Sequence, residues 1–236
     1  HRAITDPGAV RDLASSLAEG VAALRAQLMR RLETPVVVQF DEPSLPAALA
    51  GRLTGVTSLS PVHPVDEAVV TQLLDECVAV AGGDVAVHSC APGLPWKLLQ
   101  RSLIAAVSVD VHTLTAADLD GVGEFIESGR TVLLGAVPSS ASGARPSAAE
   151  IATTVAGVTD RLGFRRAVLR DNIGITPACG LATATPAWAR AAGSPAAAAL
   201  DAKRPAPPHR TQRPCLTRSW RARWWYFAPH CHRQDT

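Results

Sequence analysis

A histidine and a cysteine, His88 and Cys90, are separated by one residue and follow the apolar run VAV. Side chains alternate between the two faces of a β-strand, so both would point to the same side of a strand end. Imidazole and thiolate are ligands that zinc takes in proteins. A buried cysteine beside a hydrogen-bonded histidine would produce the same pair. The pair alone therefore does not separate packing from metal binding.

A third candidate ligand is Cys179, in the segment TPACGLA, where Pro177 and Gly180 indicate a turn. Together with His88 and Cys90 it forms a His/Cys/Cys set contributed by two strand ends. Such a set is typical of a zinc site.

The elements that must position these residues follow from hydrophobic periodicity. Asp6 and Pro7 are typical of a helix start, and apolar residues then recur at helical spacing to about Glu33. Further helices are predicted at Val65–Val80, Trp96–Ser102, Ala116–Glu127 and Ser147–Leu162, and strands at Pro35–Phe40, Asp84–His88, Ala106–Asp110, Thr131–Ala136 and Ile173–Thr176.

Five strands that alternate with helices predict parallel βα units, arranged as an open doubly wound sheet or as part of an eight-stranded barrel. No Gly-x-Gly-x-x-Gly motif follows a strand, so a dinucleotide site has no support. Active sites of both architectures lie at the carboxyl ends of the strands. The polar residues collect there, at Asp41, Glu42, His88, Cys90, Asp110 and Cys179.

Three motifs resemble the catalytic domain of cobalamin-independent methionine synthase. They are VVVQFDEPSLP (Val36–Pro46), VAVHSCAP (Val85–Pro92) and ITPACGLAT (Ile175–Thr183), in the order of that family and at comparable spacing. The resemblance covers roughly Asp6 to Arg190. It implies a (β/α)8 TIM barrel of the methionine synthase and uroporphyrinogen decarboxylase type, incomplete, with about five βα units present.

The resemblance also implies an activity, the transfer of a methyl group to the thiol of homocysteine to form methionine. Zinc would be the cofactor, with His88, Cys90 and Cys179 as ligands. Asp41 would bind the amino group of the substrate. A helix N-cap followed by Pro43 is the alternative explanation for Asp41. Zinc coordination deprotonates a thiol, and the thiolate is the competent nucleophile.

This sequence departs from the family pattern at several points. Asp110 stands where the family has a glutamate ligand, and we expect it to be the fourth ligand, with His112 as the alternative. The segment LLGAVPSSA lacks the histidine that is proposed to donate a proton in the family, so we expect acid catalysis to differ or to be absent, and no acid catalyst is named. The early strands of the barrel, with a loop that holds the substrate carboxylate, have no counterpart. We therefore expect an N-terminally truncated, single-barrel member.

Several functions remain open on these grounds. The methyl donor could be a methyl-folate or a methyl-corrinoid, and the acceptor could be another thiol such as coenzyme M. An incomplete barrel could also be catalytically inactive. A uroporphyrinogen decarboxylase has the related barrel but needs no metal, so the His/Cys/Cys set argues against it.

The distribution of charged residues indicates which partners and which domain organisation to expect. Residues 1–192 are predicted to form the catalytic barrel, and they carry 15 basic and 19 acidic residues, which gives no support to a nucleic-acid partner. Residues 193–236 hold eight basic residues, two acidic residues and an aromatic cluster. They suit either a tail that binds nucleic acid or membrane or, as we prefer, a poorly ordered or aberrant C-terminus.

The cysteine pattern and the lack of a long apolar run predict the cellular compartment of the protein. The five cysteines do not resemble a disulfide framework, so reduced thiols or metal ligands are expected. No apolar run approaches the roughly 20 residues that span a bilayer. A cytoplasmic protein without a membrane partner is therefore expected.

Overall fold

The structure is a computed structural model that describes residues 3–55, 57, 62–140, 146–165 and 167–192. The tail predicted at residues 193–236 lies outside the described residues. The helices are α1 (Pro7–Leu32), α2 (Leu45–Leu49), α3 (Glu67–Ala81), α4 (Trp96–Arg101), α5 (Ala116–Glu127), α6 (Ala148–Arg161) and α7 (Val168–Asp171). The strands are β1 (Val38–Asp41), β2 (Val85–Ser89), β3 (Ala106–Asp110), β4 (Thr131–Val137) and β5 (Ile173–Pro177). Short 3₁₀ turns lie at Ala3–Thr5 and Val111–Thr113.

The five strands form one sheet in the order β1-β2-β3-β4-β5, and every neighbouring pair is parallel. This confirms the predicted series of parallel βα units. A doubly wound sheet reverses its strand order, whereas the described strands follow chain order throughout. The sheet is compatible with part of a (β/α)8 barrel, and closure into a barrel stays a prediction.

The two faces of the sheet carry different side chains. On one face the apolar residues of the strands pack with the helices in one buried cluster, which includes Phe40, Val87, Val109, Leu134 and Ile175 from the strands and Leu98, Leu99, Val122, Phe125, Ile151 and Val155 from α4, α5 and α6. Because side chains alternate along a strand, the opposite face carries Asp41, His88, Ser108 and Asp110. The helices thus cover the apolar face, and the polar residues share the other.

Helix α1 begins and ends where the sequence indicates. The Asp6 carboxylate accepts hydrogen bonds from the backbone N–H groups of Gly8 and Ala9, at 2.9 and 3.1 Å. At the other end Glu33 adopts the left-handed conformation with φ of 48° and stops the helix. None of the described helices is both long enough and apolar enough to cross a membrane.

Several element ends differ from the predicted ones by one or two residues, and two differences are larger. Strand β1 begins at Val38 instead of Pro35, because its pairing with β2 begins at the Val38–Val85 pair. The short helices α2 and α7 were not predicted. With five and four residues they are too short to show an apolar period.

Candidate metal centre

The candidate centre lies at the carboxyl ends of the strands β1, β2, β3 and β5. His88 is the fourth residue of β2 and pairs in register with Asp41 of β1 and Ser108 of β3. Only 5% of His88 is exposed, although its face of the sheet carries other polar groups. The strand positions hold this imidazole in the interior.

The structure brings three of the predicted ligands together. One ligand atom from each of His88, Cys90 and Cys179 lies within 4.8 Å of the other two. The Cys179 thiol donates a hydrogen bond to the Cys90 sulfur, with the two sulfurs 3.3 Å apart. His88 is buried, Cys90 is half-buried and Cys179 is exposed. The cluster therefore extends from the interior to the surface, where a small molecule could reach it.

The two nitrogens of the His88 ring differ in their surroundings. Nδ1 lies 3.0 Å from the Ser108 hydroxyl, whereas Nε2 is buried and has no hydrogen-bond partner. Burial lowers the pKa of His88, and this effect exceeds the opposing influences of Asp41, a backbone hydrogen bond at Ser108, and Asp110. The ring is therefore held neutral, which is the form that binds a metal.

The environment of the Cys90 thiol favours its protonated form. Burial raises the pKa of the Cys90 thiol, and the contact with Cys179 and the charges of Cys179 and Asp110 raise it further. A buried nitrogen without a partner costs free energy, which a metal bond would remove. Two thiols and an imidazole are the donors that zinc takes. The residues present thus fit a zinc ion.

Cys179 is placed by the chain that leaves β5. The backbone N–H of Ala178 donates to the carbonyl of Val137 at 2.8 Å, which joins this chain to the end of β4. Ser139 then holds Cys179 directly. Its Oγ accepts the backbone N–H of Cys179 at 2.7 Å and donates to the carbonyl of the same residue at 3.1 Å.

Asp41 ends β1 on the same face as His88 and is exposed. Its carboxylate accepts a hydrogen bond from the Gln39 amide at 2.8 Å. The N-cap position of α2 is Ser44, so Asp41 does not cap this helix and the alternative explanation of its motif is wrong. Its role as the substrate-binding carboxylate stays a prediction.

The neighbouring Glu42 lies in a different environment. Its backbone N–H donates to the His88 carbonyl at 2.7 Å and extends the contact between β1 and β2. Burial, followed by the charge of Asp41, raises the pKa of the Glu42 carboxyl. The backbone of Glu42 therefore links the end of β1 to β2, and burial of its side chain disfavours the charged carboxylate.

The predicted fourth ligand is not a member of the three-residue cluster. Asp110 is half-buried, and its carboxylate accepts the backbone N–H of His112 at 2.9 Å. Its charge still influences both His88 and Cys90. His112 is exposed, because β3 ends at Asp110 and the chain turns into a 3₁₀ segment there. The choice between Asp110 and His112 stays a prediction.

Three residues that form hydrogen bonds to the candidate site residues were not predicted from the sequence. Gln39 and Ser108 each lie two positions before a candidate carboxylate, Asp41 and Asp110, so the period of two along a strand could have identified them. Ser139 had no such signal, because its contact joins residues 40 positions apart through a loop.

Two other potential metal-binding side chains lie away from the cluster. Cys77 is half-buried in α3, with its sulfur 3.8 Å from the Ala14 carbonyl of α1. His63 lies exposed in a loop. Neither belongs to the cluster of His88, Cys90 and Cys179.

The sheet and the cluster define a parallel α/β protein with a His/Cys/Cys centre at the carboxyl ends of its strands. The family described as "Cobalamin-independent synthase, Catalytic domain" matches residues 1–199, and the chain belongs to this family. The resemblance seen in the three motifs is thereby confirmed. A search among curated proteins gives no match. Membership of the family indicates a methyltransferase of the methionine synthase type, with a thiol substrate and a methyl donor.

Proposed function

We propose that this chain is the zinc-dependent part of an enzyme that transfers a methyl group to the thiol of homocysteine and forms methionine. The observation that carries the proposal is the cluster of His88, Cys90 and Cys179, whose ligand atoms lie within 4.8 Å of one another. Its buried Nε2 atom without a partner supports a metal ligand in preference to a packing role. Family membership supports the reaction type.

The three residues of the cluster would hold the ion. When bound, zinc would favour the thiolate form of a coordinated thiol, which is the nucleophilic form. The exposure of Cys179 leaves one side of the cluster accessible, so a substrate sulfur can approach from that side. The buried His88 fixes the opposite side.

Asp41 would hold the amino group of the substrate. Its carboxylate is exposed on the same face as His88 and is oriented by the hydrogen bond from Gln39. A carboxylate binds an ammonium group through a charge-assisted hydrogen bond. The substrate would therefore be held at two points, its sulfur at the cluster and its ammonium group at Asp41.

The chemical step is a displacement at the methyl carbon. The substrate thiol gives its proton to water, and a lone pair of the sulfur forms the bond to the methyl carbon. The electron pair of the broken bond leaves with the donor: a demethylated folate takes up a proton at the nitrogen that carried the methyl group, whereas a demethylated corrinoid keeps the pair on its cobalt. The donor proposed is a methyl-folate or a methyl-corrinoid.

Metal analysis tests the site. The wild-type protein should contain about one zinc per chain, and Cys90→Ser and Cys179→Ser should each lower this content sharply. Cys77→Ser is the matched control and should retain zinc, because Cys77 contacts α1 and not the cluster. Equal zinc retention in all three variants would contradict the assignment. Asp110→Ala and His112→Ala, measured side by side, would identify the fourth ligand.

Substrate binding tests the reaction. Zinc X-ray absorption should show one added sulfur ligand when L-homocysteine is present, and Asp41→Asn should weaken homocysteine binding without removing zinc. The zinc-loaded protein should form methionine from one of the two donors. The proposal fails if no sulfur is added at the metal and neither donor yields methionine.

A further inference from the structure

Ser108 has no assigned role, yet it is the one side chain that contacts the His88 ring through a hydrogen bond in the described part of the structure. Its hydroxyl lies 3.0 Å from Nδ1 of His88. Only 2% of Ser108 is exposed, and both residues are interior members of neighbouring strands in register. Burial excludes bulk water as a competing partner for this nitrogen.

The chemistry of imidazole determines the direction of this hydrogen bond. A neutral ring carries one proton, so one nitrogen donates and the other has a free lone pair. Nε2 is buried without a hydrogen-bond partner, so it is the nitrogen available to a metal. When Nε2 binds a metal, the ring proton must be on Nδ1, which then donates to the Ser108 oxygen.

We infer that Ser108 is a positioning residue that holds the His88 ring in the tautomer and orientation in which Nε2 can bind the metal. The inference rests on the metal-binding part of the proposed function and extends it to a residue outside the ligand set. Partners of this kind fix the ring of a metal-binding histidine and raise its basicity.

Removal of the hydroxyl would leave Nδ1 buried with no acceptor for its proton. The ring could then rotate or change its tautomer, and either change would lower the affinity for zinc. Loss of such a partner lowers metal affinity by about 10- to 100-fold in other proteins. We expect a decrease of this size for Ser108→Ala, which removes one oxygen atom and leaves the rest of the strand unchanged.

The matched control is Ser102→Ala. Ser102 is also buried, but its hydroxyl donates to the Leu99 carbonyl at 2.8 Å, at the end of α4. A merely structural effect of losing a buried hydroxyl should appear in both variants as lower stability of the metal-free protein. A positioning effect should appear only in Ser108→Ala, as weaker zinc binding.

The experiment measures zinc affinity by competition with a chelator, together with urea unfolding of the metal-free proteins. Proton NMR of the zinc-loaded proteins adds a direct readout. The Nδ1 proton of His88 should be protected from exchange in the wild type and in Ser102→Ala, and it should lose this protection in Ser108→Ala. A zinc affinity 10- to 100-fold lower in Ser108→Ala alone supports the inference.

Two other results have distinct meanings. If the wild type binds one zinc and Ser108→Ala binds it equally tightly, the positioning role is overturned and the proposed function stands. If the wild type binds no zinc, the proposed function fails, and the inference fails with it because Ser108 then has no metal ligand to position.

Discussion

At Gly135 the neighbouring backbone leaves no room for a side chain beside the candidate site. It lies in β4, in register with Asp110 of β3 and Thr176 of β5. The chain that leads to Cys179 crosses directly over it. A Cβ atom at Gly135 would lie 2.6 Å from the Ala178 Cα, 2.8 Å from the Val109 carbonyl oxygen and 3.0 Å from the Pro177 carbonyl oxygen.

All three neighbours are backbone atoms, so no side-chain rotation can relieve the contact in Gly135→Ala. Ordinary contact begins at 3.4 Å, so the Ala178 backbone would have to move by about 0.8 Å. Overpacking of this kind costs roughly 1–3 kcal/mol of unfolding free energy. Because Cys179 follows Ala178, the same movement should displace a residue of the proposed zinc site and weaken zinc binding.

Gly157→Ala is the matched control. Gly157 lies on the exposed side of α6, and a Cβ there meets nothing within 4 Å. Alanine in a helix is favoured over glycine by about 0.5–1 kcal/mol, so this variant should gain stability and keep its zinc affinity. Urea unfolding with a chelator competition assay measures both quantities. The reasoning is refuted if Gly135→Ala unfolds at the wild-type midpoint and binds zinc with unchanged affinity.

Two further predictions concern single side chains. Ser139→Ala removes both hydrogen bonds to Cys179 and should lower zinc affinity in the chelator assay, whereas the neighbouring Ser140→Ala should not. Glu42→Gln should raise the unfolding free energy at pH 7, because burial and the charge of Asp41 disfavour the ionised carboxylate and the amide carries no charge. The unfolded state ionises first above pH 4.5, so urea titrations should show this gain disappear well below that pH.

The sequence predicts the regular elements well where the apolar period is long or the run is bounded by turn residues. Strand β3 and helix α5 have the predicted bounds, Ala106–Asp110 and Ala116–Glu127. The ligand cluster is also predictable, because the carboxyl ends of parallel strands meet at one edge of the sheet. His88 and Cys179 meet at this edge although they lie 91 positions apart in the sequence, because β2 and β5 belong to the same parallel sheet.

The period of two along β3 identifies Ser108 as a neighbour of Asp110 on one face, but the partners of Ser108 and Ser139 depend on strand register and loop path and could not be predicted. Ser108 meets His88 only because the two are partners in register across β2 and β3. His112 follows the end of β3, where the Asp110 carboxylate accepts the His112 N–H and the chain turns into a 3₁₀ segment, a turn that the apolar run of β3 does not signal.

The charges around the cluster explain why a cation would stabilise it. Negative charge on both sulfurs, which lie 3.3 Å apart, would cost electrostatic free energy. Burial raises the pKa of the Cys90 thiol, and the charge of Asp110 raises it further. A divalent cation would offset this repulsion at both sulfurs. Burial meanwhile keeps His88 neutral, the form that donates a lone pair. The imidazole is thus ready to bind, whereas the thiols must first lose their protons, so metal binding and proton release would be coupled at this site.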